Sequence, residues 1–197
     1  MLTHSEIQAD KYHSVITFRP LSPWQLHLLS AVLLTLGYNQ LFMGSMLAID
    51  NTHITVSLSA LLLLINLFLC QLAGDGWWQK PWLLSLIILS ACSQYFMLNY
   101  GVVIDKHMLK NALETDSAEV FGLLSFKMVP YFLFNLLLPA ALLIIMPVSV
   151  TPPAVKGKKI RSILRYLTQL LGSLSLIVLL VLSQYQTYAS VLREHRY

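Results

Sequence analysis

The chain has 197 residues, 56% of them hydrophobic and 11% charged, with a mean hydropathy of +0.66. Soluble domains carry roughly 25% charged residues, so this composition excludes a soluble globular protein and describes a membrane-resident one. The formal charge of +4 does not indicate nucleic acid, because Lys156, Lys158, Lys159, Arg161 and Arg165 are bunched between two apolar runs, where a topology signal sits.

A helix needs about 20 mostly apolar residues to cross a bilayer. Five runs meet this length: Trp24–Leu47, Ile54–Ala73, Pro81–Tyr100, Met128–Val150 and Ile163–Gln184. The predicted fold class is therefore an all-α membrane protein of five transmembrane helices. A polar segment, 1–23, precedes the first run. No convincing small-residue cleavage site follows that run, so it reads as a retained anchor rather than a signal peptide.

Pro23 opens the first run, Gly74-Asp75-Gly76 closes the second, and Thr151-Pro152-Pro153 closes the fourth. Trp77, Trp78 and Trp82 mark one interface, with Tyr95 and Tyr100 towards another, as aromatic belts do. Pro130 and Pro139 fall within the fourth run. Each removes a backbone hydrogen bond, so a packing bend is expected there, with neighbouring groups satisfying what is freed. No internal repeat and no paired interrupted helices stand out.

Loop charges give the orientation. Lys11, Arg19, Lys80 and the basic group from Lys156 to Arg165 fall on one side. Lys106, Lys110, Lys127, Arg193 and Arg196 fall on the other, together with most of the acidic residues: Asp50, Asp105, Glu114, Asp116, Glu119 and Glu194. The positive-inside rule makes the first side cytoplasmic. The N-terminus is then inside and the C-terminus outside.

Polar residues inside the runs are expected to hydrogen-bond between helices. Asn39, Asn66, Gln94 and Asn135 are the cases, with Asn39 and Gln94, nearer the outer surface, also open to a substrate-path reading, and His27 reads as a packed or interfacial residue rather than a proton relay. Cys70 and Cys92 lie in apolar runs with no CxxC or Cys/His cluster, which indicates small packed residues rather than a disulfide or metal site. The six histidines are scattered along the chain. No run contains the embedded charge usual in ion or proton paths, which weighs against a transporter or channel.

The segment after the third run, YGVVIDKHMLKNALETDSAE, differs from everything around it. It is polar, acidic and helix-prone. Asp105 is placed to cap a helix beginning at Lys106. Residues spaced by four share a helical face, so Asn111, Thr115 and Glu119 form one polar stripe there. An amide, a hydroxyl and a carboxylate so arranged suit a phosphate and its neighbouring ammonium. Asp116-Ser117-Ala118-Glu119 also fits a capping box, which would break the stripe after Thr115 and give Glu119 a structural role. An amphipathic surface helix with no ligand is a further reading of the same residues.

The stretch QYFMLNYGVVIDKHMLKNALETDSAE and the tail YQTYASVLREH resemble the lipid A phosphoethanolamine transferases, which include the mobile colistin-resistance enzymes. The resemblance covers nearly the whole chain, with the first two runs matched mostly by character. It implies a bacterial inner-membrane protein associated with lipopolysaccharide modification and polymyxin resistance. In that family a periplasmic domain of the alkaline-phosphatase and sulfatase type carries a zinc-bound threonine. The threonine takes phosphoethanolamine from phosphatidylethanolamine and passes it to a lipid A phosphate.

The family's membrane-domain contribution to the donor site falls on Asn111, Thr115 and Glu119 here. Domain limits follow as a cytoplasmic segment 1–23, a transmembrane domain 24–192 with a periplasmic loop 101–127, and the start of a linker at 193–197. The chain stops at Tyr197 without a matching nucleophile or zinc-ligand set. The expectation is thus a donor-binding and anchoring domain without catalytic or metal residues of its own, zinc belonging to a catalytic domain outside it. Its partners would be phosphatidylethanolamine, membrane lipids and, through that other domain, lipid A. The alternative is a stand-alone, non-enzymatic membrane binding or scaffold protein. Arg193, His195 and Arg196 read as a solvated terminus or as contacts to phosphate.

Overall fold

The computed structural model describes residues 20–47, 51–101, 126, 128–149, 156–186 and 188–189. Within them the chain is helical apart from turns and one short bridge. Ser22 starts α1 (Pro23–Tyr38) with a reciprocal capping box: its hydroxyl accepts from the Gln25 amide, and the Gln25 side chain accepts from the Ser22 amide. Proline at the first helical position suits this start, since its missing N–H would be unpaired there anyway. Leu21 pairs with Val148 in a parallel bridge, through bonds of 2.9 Å from Leu21 N to Pro147 O and from Ser149 N to Leu21 O.

The first apolar run is not one straight span. α1 ends at Tyr38, α2 (Gln40–Leu47) follows, and the two are bent by 68° at Asn39. Asn39 adopts a non-helical conformation, and its amide donates to Leu34 O at 2.7 Å, taking up a carbonyl of the ending helix. A bend of this size is too sharp for gradual curvature and needs a break in the hydrogen-bond ladder. The sequence expectation of a single first helix is corrected in this respect: the run is a broken pair.

Four helices are each long and apolar enough to cross a membrane, and the bent pair makes a fifth crossing if taken as one. α3 (Thr52–Gln71) starts at Asn51, whose side chain accepts from the Ile54 amide. α4 (Gln79–Tyr100) ends where Gly101 enters the left-handed region at φ 62°, a conformation glycine adopts without steric cost. The fourth span comprises α5 (Met128–Phe132), a π-helical turn (Leu133–Leu137) and α6 (Leu138–Ile145). α7 (Lys156–Ser183) completes the bundle, with most of its side chains exposed.

The π-turn has a cause in the sequence. Pro139 has no N–H to give to the carbonyl four residues earlier, and its ring crowds that group. The carbonyl belongs to Asn135, and the Tyr38 hydroxyl donates to it. The break in the first run and the π-turn of the fourth span therefore meet. The last residue of α1 supplies the bond that Pro139 withholds, as hydrocarbon depth requires.

Packing is centred on α1, which lies against α3 and α4; α7 packs against α3. Leu26, Leu34, Leu67, Leu83, Ile87 and Leu143 form much of the core. Ala31, Cys70 and Ala91 are fully buried among them, small side chains that let helices approach closely. Both cysteines are free thiols.

Of the polar residues expected to bond between helices, Asn66 and Gln94 do so, whereas Asn39 and Asn135 donate to carbonyls of their own helices. Asn66 donates to the Thr35 hydroxyl at 2.9 Å, and Ser173 to the Gln71 side-chain oxygen at 2.9 Å. Tyr131 donates to Gln94 at 3.3 Å, while Asn135 bonds within its own helix. His27 is 0% exposed, and its Nε2 receives a 3.0 Å bond from Gln79, which also reaches Pro23 O. It is a packed residue.

Candidate functional site

The predicted stripe of Asn111, Thr115 and Glu119 lies outside the described residues. The structure does describe the two stems from which that segment hangs. One is the end of α4, closed by the left-handed Gly101; the other is Phe126 and the start of α5 at Met128.

The stems are held together by aromatic side chains. Tyr95, 1% exposed, has its ring 5.1 Å from that of Tyr131 and 5.4 Å from that of Phe132. Tyr131 and Phe132 meet edge to face at 5.5 Å, a favoured arrangement of ring quadrupoles. The Tyr131 hydroxyl then reaches back to Ala91 O at 3.2 Å. Asn99 secures the last turn of α4 by donating to Tyr95 O at 2.9 Å. These contacts hold the end of α4 against the start of α5 at one end of the bundle.

A second group of polar side chains gathers at the opposite end. A cavity of about 310 Å³ there is lined by Ser22, Trp24, Asp75, Ser149, Ser162 and Arg165, among others. The turn between α3 and α4 places Asp75, the bridge between Leu21 and Val148 places Ser22 and Ser149, the start of α1 places Trp24, and α7 supplies Ser162 and Arg165. Gly74 has φ 70°, and a Cβ added there would come within 3.8 Å of the Tyr166 ring.

Asp75 is the only acidic residue among the described residues. Burial raises its carboxyl above the usual range, and the charge of Arg165 opposes that shift. One of its oxygens, Oδ1, is buried without a hydrogen-bond partner. Sequence reading treated Gly74-Asp75-Gly76 only as a helix breaker. The available signal was a carboxylate in the loop on the basic side of the membrane.

A carboxyl whose folded pKa lies above its unfolded value near about 3.9 favours the fold at low pH. That contribution is lost as pH rises through the raised pKa. In lipid-free detergent, Asp75→Asn is therefore expected to raise the melting temperature at pH 7–8, with the gap closing towards about pH 4. Circular dichroism melts across this range check it; a variant less stable than wild type at pH 7 would contradict it.

Among the described residues, no three or more His, Cys, Asp or Glu side chains converge as a metal site.

Comparison with known proteins bears on the whole bundle. The family model described as phosphoethanolamine transferase EptA/EptB matches residues 61–197. Phosphoethanolamine transferase EptA of Escherichia coli (strain K12) is 32% identical over 132 residues, covering 67% of this chain and 23% of the relative. Phosphatidylethanolamine transferase Mcr-1 of Escherichia coli is 31% identical over 191 residues, covering 94% of this chain and 34% of the relative. The chain thus spans between 23% and 34% of the length of these relatives.

Among solved structures, the integral membrane protein lipooligosaccharide phosphoethanolamine transferase A (EptA) from Neisseria meningitidis superposes with a TM-score of 0.73. Sequence identity is 20%, over 87% of this chain and 32% of that one. The likeness establishes the shared fold of the membrane domain.

Proposed function

The chain belongs to the phosphoethanolamine transferase EptA/EptB family, as its N-terminal membrane domain, and we propose that it anchors a transferase at the membrane and binds its phosphatidylethanolamine donor. It is a multi-pass inner-membrane protein. The carrying observation is the family match over residues 61–197, which includes the polar segment between the two aromatic-clamped stems.

On this reading Asn111 and Thr115 hydrogen-bond the donor phosphate, and Glu119 pairs with its ammonium. The spacing of four places all three on one helical face, and charge-assisted bonds give the carboxylate the strongest single contact. The family's soluble domain supplies the zinc-bound threonine and the transfer to a lipid A phosphate. Holding that domain beside the lipid surface turns an encounter between dilute partners into a local one. The polar segment then faces the periplasm, and the end bearing Lys80 and Arg165 faces the cytoplasm, in keeping with the distribution of basic residues.

The test uses the full gene product in cells. Thr115→Ala and Glu119→Ala are each expected to lower the modified fraction of lipid A about tenfold, in line with losing one hydrogen bond to a charged group. Mass spectra of extracted lipid A provide the readout, with membrane levels checked by immunoblot. Unchanged spectra at normal levels would remove the donor-site reading and leave an anchor or scaffold.

A further inference from the structure

Two adjoining cavities at the basic end of the bundle have a shape and polarity that neither the anchor nor the donor reading uses. The first is the polar cavity at Asp75 and Arg165 described above. The second, of about 270 Å³, is lined by Leu67 and Gln71 of α3 and by Thr168, Gly172, Ser173 and Leu176 of α7. Trp24 and Gln169 line both. Along α7 the lining runs from Ser162 to Leu176, a rise of about 21 Å at 1.5 Å per residue. Polarity falls along this path, from hydroxyls and opposite charges at the outer end to Leu67 and the exposed Leu176 further along the helices.

Each cavity is lined by a side chain with unmet hydrogen-bonding capacity. Asp75 Oδ1 is a buried acceptor without a partner. Gln71 is 1% exposed; its side-chain oxygen accepts from Ser173, yet its Nε2 is also without a partner. Buried polar atoms left unpaired are costly and rare, and they call for an explanation. At the outer end an acceptor of negative charge stands near a guanidinium, a combination that suits a zwitterion better than a simple anion or cation. Arginine is the side chain best shaped for a phosphodiester. An amide donor deeper down suits an ester carbonyl, and the leucines beyond it suit the first methylenes of an acyl chain.

The geometry points to a phospholipid site in which Asp75 takes a primary ammonium, Arg165 the adjoining phosphodiester and Gln71 a chain ester. A primary ammonium can donate to the Asp75 carboxylate, whereas a quaternary ammonium has no N–H to donate. The site therefore prefers an ethanolamine-type headgroup to a choline-type one. It lies at the opposite end of the bundle from the donor segment, since α4 spans 22 residues, or about 33 Å, between the two. The lipid enters from the leaflet that faces Lys80 and Arg165. This site does not rest on the donor reading.

The test is native mass spectrometry of the full gene product carrying Thr115→Ala and Glu119→Ala, which removes the proposed donor contacts from the measurement. The delipidated protein is titrated with phosphatidylethanolamine, phosphatidylcholine and phosphatidylglycerol of identical chains, and with water-soluble glycerophosphoethanolamine. Phosphatidylethanolamine is expected to bind about tenfold more tightly than phosphatidylcholine, and Asp75→Asn to bring that ratio close to one. Arg165→Gln should weaken both lipids together.

Equal binding of the two zwitterionic lipids before any substitution at Asp75 would overturn the proposal, and this arm does not depend on how the Asp75 variant folds. A ratio that survives Asp75→Asn would also overturn it, as would preference for phosphatidylglycerol. Glycerophosphoethanolamine competing as well as the lipid would assign the site to a soluble ligand instead. Failure of the donor reading would appear separately, in the lipid A spectra.

Discussion

Replacing Tyr95 by alanine is expected to cost about 3 kcal/mol or more of stability, the range typical of a large aromatic removed from a packed core. Tyr95 is among the largest fully buried side chains described, and its ring lies against Tyr131 and Phe132 of the fourth span. Its loss leaves a void inside the packed interface that the helices cannot close without shifting. Packing contacts are a main force holding helices together in a bilayer. Tyr95→Phe keeps the ring and should lose far less. Reversible unfolding in mixed detergent micelles, followed by circular dichroism, measures both. A Tyr95→Ala midpoint indistinguishable from wild type would show that the α4–α5 contact does not limit stability.

Lys80→Met should cost about 2 kcal/mol, more than a surface lysine ordinarily contributes. The Lys80 ammonium donates to Ile144 O and to Met146 O, both at 2.8 Å. These carbonyls close α6, where the last turn of a helix carries unpaired acceptors and a partial negative charge. Methionine keeps the length of the stem and its apolar contacts but removes both bonds. Lys80→Arg should recover part of the loss, since a cation and donors return with altered geometry. Thermal unfolding in detergent distinguishes the variants, and a methionine variant as stable as wild type would reduce Lys80 to a topology signal. The bond also fixes the start of α4 against the end of the fourth span, so the variant should open the neighbouring bridge between Leu21 and Val148 to hydrogen exchange.

Both residues were visible in the sequence with a different meaning. Tyr95 read as an interfacial aromatic and Lys80 as a positive-inside charge. Those readings follow from composition near a membrane boundary, which is a one-dimensional property. The donor and acceptor that complete Lys80 are separated by 64 residues along the chain, and no local pattern pairs them. The first run illustrates the same limit. Hydropathy averaged along Trp24–Leu47 remains high through Asn39, so an isolated break leaves little trace, and Asn39 reads as a packing or substrate-path residue rather than as a break.

Hydrophobicity alone placed the membrane spans, because crossing hydrocarbon imposes a length and an apolar composition that few other contexts demand. It also marked the polar segment after α4, which stands out by contrast, and Pro139 announced a missing backbone hydrogen bond because its chemistry is local. Which group would satisfy the freed carbonyl was decided only by the fold. The Tyr38 hydroxyl and the Asn135 carbonyl are 97 residues apart, and Gln71 and Ser173 are 102 apart. The cavity joining Asp75 to Arg165 belongs with them. Such pairings depend on how helices dock side by side, and docking is set by the sizes of Ala31, Cys70, Ala91 and their neighbours acting together. Spans are a property of each segment's free energy in lipid; the buried polar contacts are a property of the whole bundle.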